Sequence, residues 1–189
     1  FILAEPIIHI LFERGAFVKE DTFYTAKVLS YFALGLPAYI IIKVLVSCFF
    51  AREDTKTPLY ISIVSVITNV VLSLLLIGSM REMGIAVATA ISAWINVLLL
   101  YLFLAIRNHM KFDDLLVRNS IKILLSSFLL FVGIYVLNGL FFTNISGNSV
   151  LINSTLLLLM IFLAIIIYFG LVIVLKVLSV NQLREYLKK

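Results

Sequence analysis

Two lysines lie inside a long apolar segment, where a charged side chain needs a chemical reason to be present. The segment covers residues 24–50 or so and contains Lys27 and Lys43. A charge at the bilayer centre costs at least ~2.5–3.5 kcal/mol, so such lysines usually face a water-filled cavity or a partner. Lys43 is about 10 Å short of Phe50, a distance that a lysine stem covers only in part. Lys43 and Lys27 are therefore candidate anion-binding residues, and snorkelling to the nearer membrane surface is the alternative for each.

A glycine and a proline precede Lys43 in the same segment. Pro37 removes a backbone N–H and its ring clashes with the carbonyl of Ala33, and Gly35 adds local freedom. The pair predicts a helix bend near the middle of the membrane. Broken helices at this depth recur in transporters, where the freed backbone groups face a cavity. A bend that serves only helix packing is the alternative.

The motif AREDTKTP follows directly and contains two more cations, Arg52 and Lys56. One interpretation is structural: the motif turns the chain, Thr57 caps the next helix, and Pro58 occupies its first position. The other is that Arg52 and Lys56 meet a phosphate-bearing head group at the membrane surface. Both interpretations stay open from the sequence.

Three neutral polar residues share the next two apolar segments. Asn69 and Ser73 are four residues apart and so lie on one helix face, and Thr89 could meet them across a short hairpin. Their oxygens could hold a monovalent cation such as Na⁺, whereas ordinary interhelical hydrogen bonds are worth about 0.6 kcal/mol each. His9, near Glu5, is interpreted as a packed or interfacial histidine rather than a ligand.

Other kinds of chemistry lack their motifs. The sequence has no nucleophile–base pair, no Gly-rich phosphate loop and no metal-binding pattern, so an enzyme and a cofactor are not expected. The single cysteine, Cys48, lies in an apolar run and is interpreted as a packing residue. A net charge of +5 needs no nucleic-acid partner, because basic loops on one side of a membrane account for it.

The elements that would position these residues are transmembrane helices. The chain is 63% hydrophobic and 13% charged, with a mean hydropathy of +1.17. Continuous apolar runs of about twenty residues indicate membrane-spanning helices rather than the short alternating strands of a barrel. We predict an all-α, polytopic helix bundle with about five full spans and a truncated one. The apolar segments cover residues 1–12, about 24–50, 58–78, 84–106, about 121–142 and about 150–177.

The distribution of basic residues predicts the orientation. If the helices alternate, ten cations fall on the side of the AREDTKTP loop and three on the other, so the first side is cytoplasmic by the positive-inside rule. The ten are Arg52, Lys56, Arg107, Lys111, Arg118, Lys122, Lys176, Arg184, Lys188 and Lys189, and the three are Arg14, Lys19 and Arg81. Residues 108–120 are predicted to lie on the cytoplasmic surface and residues 179–189 to form a cytoplasmic tail.

Several strings resemble one known family. These are EPIIHILFERGAF, YFALGLPAYIIIKVLVSCFFAREDTKTP, NVVLSLLLI and GIAVATAISAWINVLLL. They resemble the C-terminal half of the MurJ/MviN family, the lipid II flippases of bacterial peptidoglycan synthesis, within the multidrug/oligosaccharidyl-lipid/polysaccharide exporter superfamily. Residues 1–107 carry the likeness closely. Residues 108–189 match only as two further hydrophobic helices.

The resemblance implies a fourteen-helix, two-lobe flippase in the bacterial cytoplasmic membrane, working by alternating access on lipid II. Residues 1–107 would run from the end of helix nine to helix twelve, and residues 121–178 would be a terminal lipid-facing pair. The partners implied are lipid II, membrane lipids and an N-terminal lobe of the same protein. Some relatives have an acidic residue near the position of Ser73, so Na⁺ coupling is in question. The alternatives are a polysaccharide or drug exporter of the same superfamily, or a non-transporting remnant of a split gene that acts as a membrane scaffold.

Overall fold

The computed structural model describes residues 1–107, 114–141 and 150–175, and these residues form helices joined by short turns and loops, without strands. Five of the helices are long and apolar enough to cross a membrane, which confirms the predicted all-α polytopic fold. The exception is α1, which has 9 residues. The helices are α1 (Ala4–Phe12), α2 (Lys19–Phe50), α3 (Lys56–Met80), α4 (Glu82–Ile106), α5 (Asp114–Phe141) and α6 (Val150–Val174).

The chain divides into two compact units, with the division between residues 111 and 112. The first contains α1–α4 and the second contains α5 and α6. Much of the predicted surface segment (residues 108–113) and the whole predicted tail (residues 179–189) lie outside the described residues. Residues 114–120 belong to α5 itself.

Helix α4 organises the first unit. It packs against both α2 and α3, which touch each other little, and α1 packs against α2. The buried positions of α4 are mostly small, which lets neighbouring helix backbones approach closely, as is usual in membranes. They include Gly84, Ala86, Ala88, Ala90, Ser92 and Ala93. At the end of α4 nearer the α2–α3 loop, the buried residues are larger. Leu100 and Leu104 pack there with α2 and α3 side chains around Phe49.

Two glycines mark the closest helix contacts. A β-carbon added at Gly84 would lie 2.7 Å from the carbonyl oxygen of Leu76, so α3 and α4 leave no room there for a side chain. A β-carbon at Gly35 would lie 3.3 Å from the Cα of Ala90, which sets the spacing of α2 and α4. Small residues at these points are a requirement of the fold.

The prediction that Thr57 caps α3 and that Pro58 is its first residue is wrong. The helix begins at Lys56, and Asp54 provides the cap: its carboxylate accepts hydrogen bonds from the Thr57 backbone N–H at 3.0 Å and from the Thr57 hydroxyl at 2.7 Å. An aspartate three residues upstream is placed as well as a threonine for this role and offers two acceptor oxygens. Pro58 lies within the first turn, where its missing N–H leaves no bond unmade.

Helix α2 begins about five residues earlier than predicted. Asp21 accepts a hydrogen bond from the backbone N–H of Val18 at 3.0 Å, and Glu20 lies beside it in the first turn. Acidic groups at a helix N-terminus are stabilised by the free N–H groups and the helix dipole. The charged residues KED, interpreted from the sequence as a linker, are therefore the first turn of the helix.

The second unit is a pair of apolar helices that pack on one another. The pair also contains buried polar residues: the Ser126 side chain is fully buried and donates to the Lys122 carbonyl at 2.9 Å, and Asn153 is also buried. The other faces are strongly apolar and exposed, as at Leu124, Phe128 and Phe162, and suit contact with lipid.

Candidate functional site

One side of α2 carries a row of polar residues, which we call the α2 polar stripe: Tyr39, Lys43 and Ser47. They are spaced four residues apart, so they lie along one side of the helix. Lys43 and Ser47 are exposed, and Tyr39 is 44% exposed. Ser47 donates its hydroxyl proton to the Lys43 carbonyl at 2.8 Å. Within the described part of the chain, the Lys43 ammonium has no ion pair or hydrogen-bond partner.

Lys27 does not share this location. Its Nζ lies 4.0 Å from the centroid of the Phe23 ring, an arrangement that favours a cation by attraction to the ring electrons. Lys27 and Lys43 are sixteen residues apart on the same helix, which is about 24 Å along its axis. The structure therefore separates the two lysines that the sequence offered as intramembrane cations.

Gly35 and Pro37 lie within α2, which is helical on both sides of the proline. Pro37 lines an open apolar groove of ≈ 540 Å³ between α2 and α4, together with Tyr31 and Trp94. The Trp94 indole N–H donates to the Leu34 carbonyl at 3.1 Å. This bond is made one residue from Ala33, whose carbonyl loses its helical partner to Pro37. A bend at Gly35 and Pro37 stays a prediction.

Arg52 and Lys56 are both exposed in or beside the α2–α3 loop. Arg52 donates to the Cys48 carbonyl at 3.3 Å and so stabilises the end of α2. Lys56 is the first residue of α3. Their contact with a head group stays a prediction.

A polar cluster in this loop was missed by the sequence analysis. Arg107, at the end of α4, forms an ion pair with Asp54 and donates to the Thr57 hydroxyl oxygen at 3.2 Å. The hydrogen bonds from the Thr57 backbone N–H and hydroxyl, followed by the Arg107 guanidinium, lower the pKa of Asp54 to about 2. The cluster joins the α2–α3 loop to the start of α3 and the end of α4. Asp54 and Arg107 are 53 residues apart, and no sequence pattern links them.

Asn69, Ser73 and Thr89 are brought together as a chain of hydrogen bonds. Ser73 donates to the Asn69 side-chain oxygen at 3.1 Å, Asn69 donates to the Thr89 hydroxyl at 3.4 Å, and Thr89 donates to the Ile85 carbonyl at 2.8 Å. None of the three is acidic. Their neutral oxygens would fit a monovalent cation only if the two hydroxyl protons turned away, so the hydrogen-bonding interpretation explains the geometry directly. Na⁺ binding here stays a prediction.

A second missed cluster joins α1 to α2. The Glu13 carboxylate is 2.7 Å from His9 Nδ1 and accepts a hydrogen bond of 2.7 Å from the Thr22 hydroxyl. Burial acts to raise the pKa of Glu13, but the hydrogen bonds from His9 and Thr22 outweigh it and the pKa is lowered overall. His9 is thus a hydrogen-bonded packing residue, and its partner is Glu13 rather than Glu5, which is equally far from it along the chain. Residues 13–18 make the turn between these two helices.

These features define the class of protein. Five helices long and apolar enough to cross a membrane, of which α4 makes close contacts with α2 and α3 at small residues, make the chain a multi-pass α-helical membrane protein. Comparison with known proteins defines it further. The family model described as "Lipid II flippase MurJ" matches residues 1–183. The chain belongs to the MurJ lipid II flippase family, which confirms the resemblance noted in the sequence.

Individual relatives agree. "Probable lipid II flippase MurJ" of Rickettsia prowazekii is 38% identical over 181 residues, which cover 96% of this chain and 36% of that protein. The protein of the same name in Rhizobium tropici is 35% identical, over 100% of this chain and 36% of its own length. A solved structure, "Lipid II flippase MurJ, inward closed conformation", superposes with a TM-score of 0.70 at 28% identity, over 89% of this chain and 32% of that one. The chain thus spans about a third of the length of these relatives.

Proposed function

We propose that this chain forms part of a lipid II flippase, which moves the lipid-linked peptidoglycan precursor from the cytoplasmic to the periplasmic leaflet by alternating access. The observation that carries the proposal is the family match over residues 1–183, in a family of flippases, a class of transporter. The location is the bacterial cytoplasmic membrane, with the AREDTKTP loop and the C-terminus on the cytoplasmic side. The basic residues concentrated on that side support this orientation.

In this function the diphosphate of the substrate is held by cations, and its polyprenyl chain remains in lipid along α5 and α6. Lys43 is the leading cation because it lies at membrane depth without a partner among the described residues. Arg52 and Lys56 would meet the phosphates at the cytoplasmic surface. Lys27 would act nearer the periplasmic end of α2, where its ammonium now rests on Phe23.

The remaining proposed partner is an N-terminal lobe, which would correspond to the portion of the longer relatives that this chain does not cover. A flippase by alternating access needs two lobes around the substrate, and the described helices of the first unit form only part of one. We therefore propose that α2 and α4 face an N-terminal lobe. We also propose that Asn69, Ser73 and Thr89 couple transport to Na⁺.

The test is a full-length chimera in which this chain replaces the matching C-terminal part of the Rickettsia prowazekii relative. The chimera is expressed in a bacterium depleted of its own lipid II flippase, and lipid II translocation is measured with the purified chimera in proteoliposomes. We expect growth rescue and translocation by the chimera, and neither from this chain expressed alone. A chimera that is inserted at normal levels but neither rescues growth nor translocates lipid II would contradict the proposal.

A further inference from the structure

The α2 polar stripe contains two groups that no described residue satisfies. One is the Lys43 ammonium, and the other is the Tyr39 hydroxyl, for which no hydrogen-bond partner exists in the described parts of the chain. Both lie within the apolar span of α2, one helical turn apart. A polar group without a partner is costly in hydrocarbon, so two of them on one side of a helix indicate that this side faces water or a polar ligand.

The Tyr39 ring is held in place by the backbone. A β-carbon at Gly35 would lie 3.6 Å from Cε2 of Tyr39, so the ring packs over the bare glycine one turn before it. Helical side chains point back toward the N-terminus, which matches this contact and directs the Lys43 side chain toward Tyr39. The ring is nevertheless 44% exposed. The stripe thus presents an exposed aromatic ring, whose hydroxyl has no partner among the described residues, one helical turn from a cation.

The charge of the stripe selects the class of ligand. From Thr22 to the end of α2 at Phe50 the helix has no acidic residue, so Lys43 offers uncompensated positive charge to an anion. A phosphate would form an ion pair with the Lys43 ammonium. The ring and hydroxyl of Tyr39 suit a sugar. The C–H faces of sugars stack on aromatic rings, and their hydroxyls accept and donate hydrogen bonds. One molecule joining the two is a lipid-linked diphosphate sugar.

We propose that Tyr39 contacts the first sugar of the substrate while Lys43 contacts its diphosphate. This inference rests on the proposed function and adds a residue that sets specificity. Tyr39 distinguishes a glycosylated lipid diphosphate from the bare lipid diphosphate, and Lys43 does not. Ser47 keeps its hydroxyl on the Lys43 carbonyl and stays outside the contact.

The experiment compares two ligands on the full-length chimera in detergent: undecaprenyl diphosphate, which has no sugar, and lipid II. The variants are Tyr39→Leu, Tyr39→Phe and Lys43→Ala. The matched control is Tyr60→Leu, because Tyr60 on α3 is also an exposed tyrosine, at 64%. Thermal unfolding of each variant shows whether it folds.

We expect Tyr39→Leu to weaken lipid II binding about tenfold, which is the affinity that one aromatic ring contact contributes. Its affinity for undecaprenyl diphosphate should stay within about twofold of that of the unmodified chimera. Tyr39→Phe keeps the ring and should lose less than Tyr39→Leu. Lys43→Ala should weaken both ligands, and Tyr60→Leu neither. Equal weakening of both ligands by Tyr39→Leu, or no weakening of either, would overturn the role of Tyr39. If the unmodified chimera binds neither ligand, the proposed function itself fails.

Discussion

Gly35 on α2 lies against Ala90 on α4 so closely that a β-carbon at residue 35 would come within 3.3 Å of the Ala90 Cα. The same added β-carbon would also lie 3.6 Å from Cε2 of the Tyr39 ring. One missing side chain therefore fixes both the spacing of two helices and the position of a residue in the proposed substrate path.

A series of glycine substitutions should follow the space around each position. Gly84→Ala places its new carbon 2.7 Å from a backbone oxygen, Gly35→Ala 3.3 Å from a backbone carbon, and Gly78→Ala meets nothing within 4 Å. We expect Gly84→Ala to destabilise most, by about 1–3 kcal/mol, and Gly35→Ala less. Gly78→Ala, the control, should be neutral or stabilising because alanine favours helices. Thermal unfolding in detergent measures the order, and an equal effect at all three positions would contradict it.

Acid should weaken the loop cluster through Asp54. Its pKa is lowered to about 2 in the folded protein, from an ordinary value of about 3.9. A group with a lowered pKa adds stability that is complete above the ordinary pKa and is lost as the pH falls through the folded one. The unfolding temperature should therefore drop as the pH falls from about 4 to about 2.

Asp54→Asn should remove most of that pH dependence and lower stability at neutral pH. Glu53→Gln is the matched control, since Glu53 is the adjacent acidic residue and is absent from the cluster. An unchanged pH profile in Asp54→Asn would show that other carboxylates dominate. No effect at neutral pH would contradict a stabilising role for the Asp54 carboxylate.

Lys43 should matter to transport through its charge. In the full-length chimera, Lys43→Ala should reduce lipid II translocation at least about tenfold, whereas Lys43→Arg should keep most of it, because both lysine and arginine carry the cation that the diphosphate needs. Lys19→Ala is the control, a cation in the first turn of the same helix. Full translocation by both Lys43 variants would remove this residue from the mechanism.

We expect the hydrogen-bonded chain of Asn69, Ser73 and Thr89 to stabilise the packing of α3 and α4 more than it binds an ion. Ser73→Ala and Thr89→Val should each lower the unfolding free energy by about 0.6 kcal/mol, the usual worth of such a bond in a membrane. The unfolding temperature is then compared in NaCl and choline chloride. The same value in both salts supports the hydrogen-bond role. A rise in NaCl that disappears in both variants would support the sodium site.

The span pattern could be predicted because continuous apolar runs are a local property of the sequence. Asn69, Ser73 and Thr89 could also be anticipated, since α3 ends at Met80 and α4 begins at Glu82, and so short a turn leaves few ways to pair two helices. The N-terminal turn of α2 was misjudged because KED looks like a polar linker. Its acidic residues are in fact stabilised by the helix terminus.

Long-range polar contacts could not be predicted. Asp54 could cap α3 by its spacing, but its pairing with Arg107 depends on where α4 ends relative to the loop. The bond from the Thr22 hydroxyl to the Glu13 carboxylate could not be predicted for a similar reason. Glu13 reaches His9 locally, four residues along the chain, but the turn between α1 and α2 decides that Thr22 reaches the same carboxylate.

The bond between Trp94 and the Leu34 carbonyl spans 60 residues. A ribosome adding about 5–20 residues per second needs roughly 3–12 s to produce the second partner after the first. Throughout that interval α2, with its proline and its lysine, resides at the insertion machinery without the helix that will cover it. Its biogenesis therefore depends on its own hydropathy or on a chaperoning insertase, and slow translation between Leu34 and Trp94 would lengthen the period in which it is open to quality-control proteolysis.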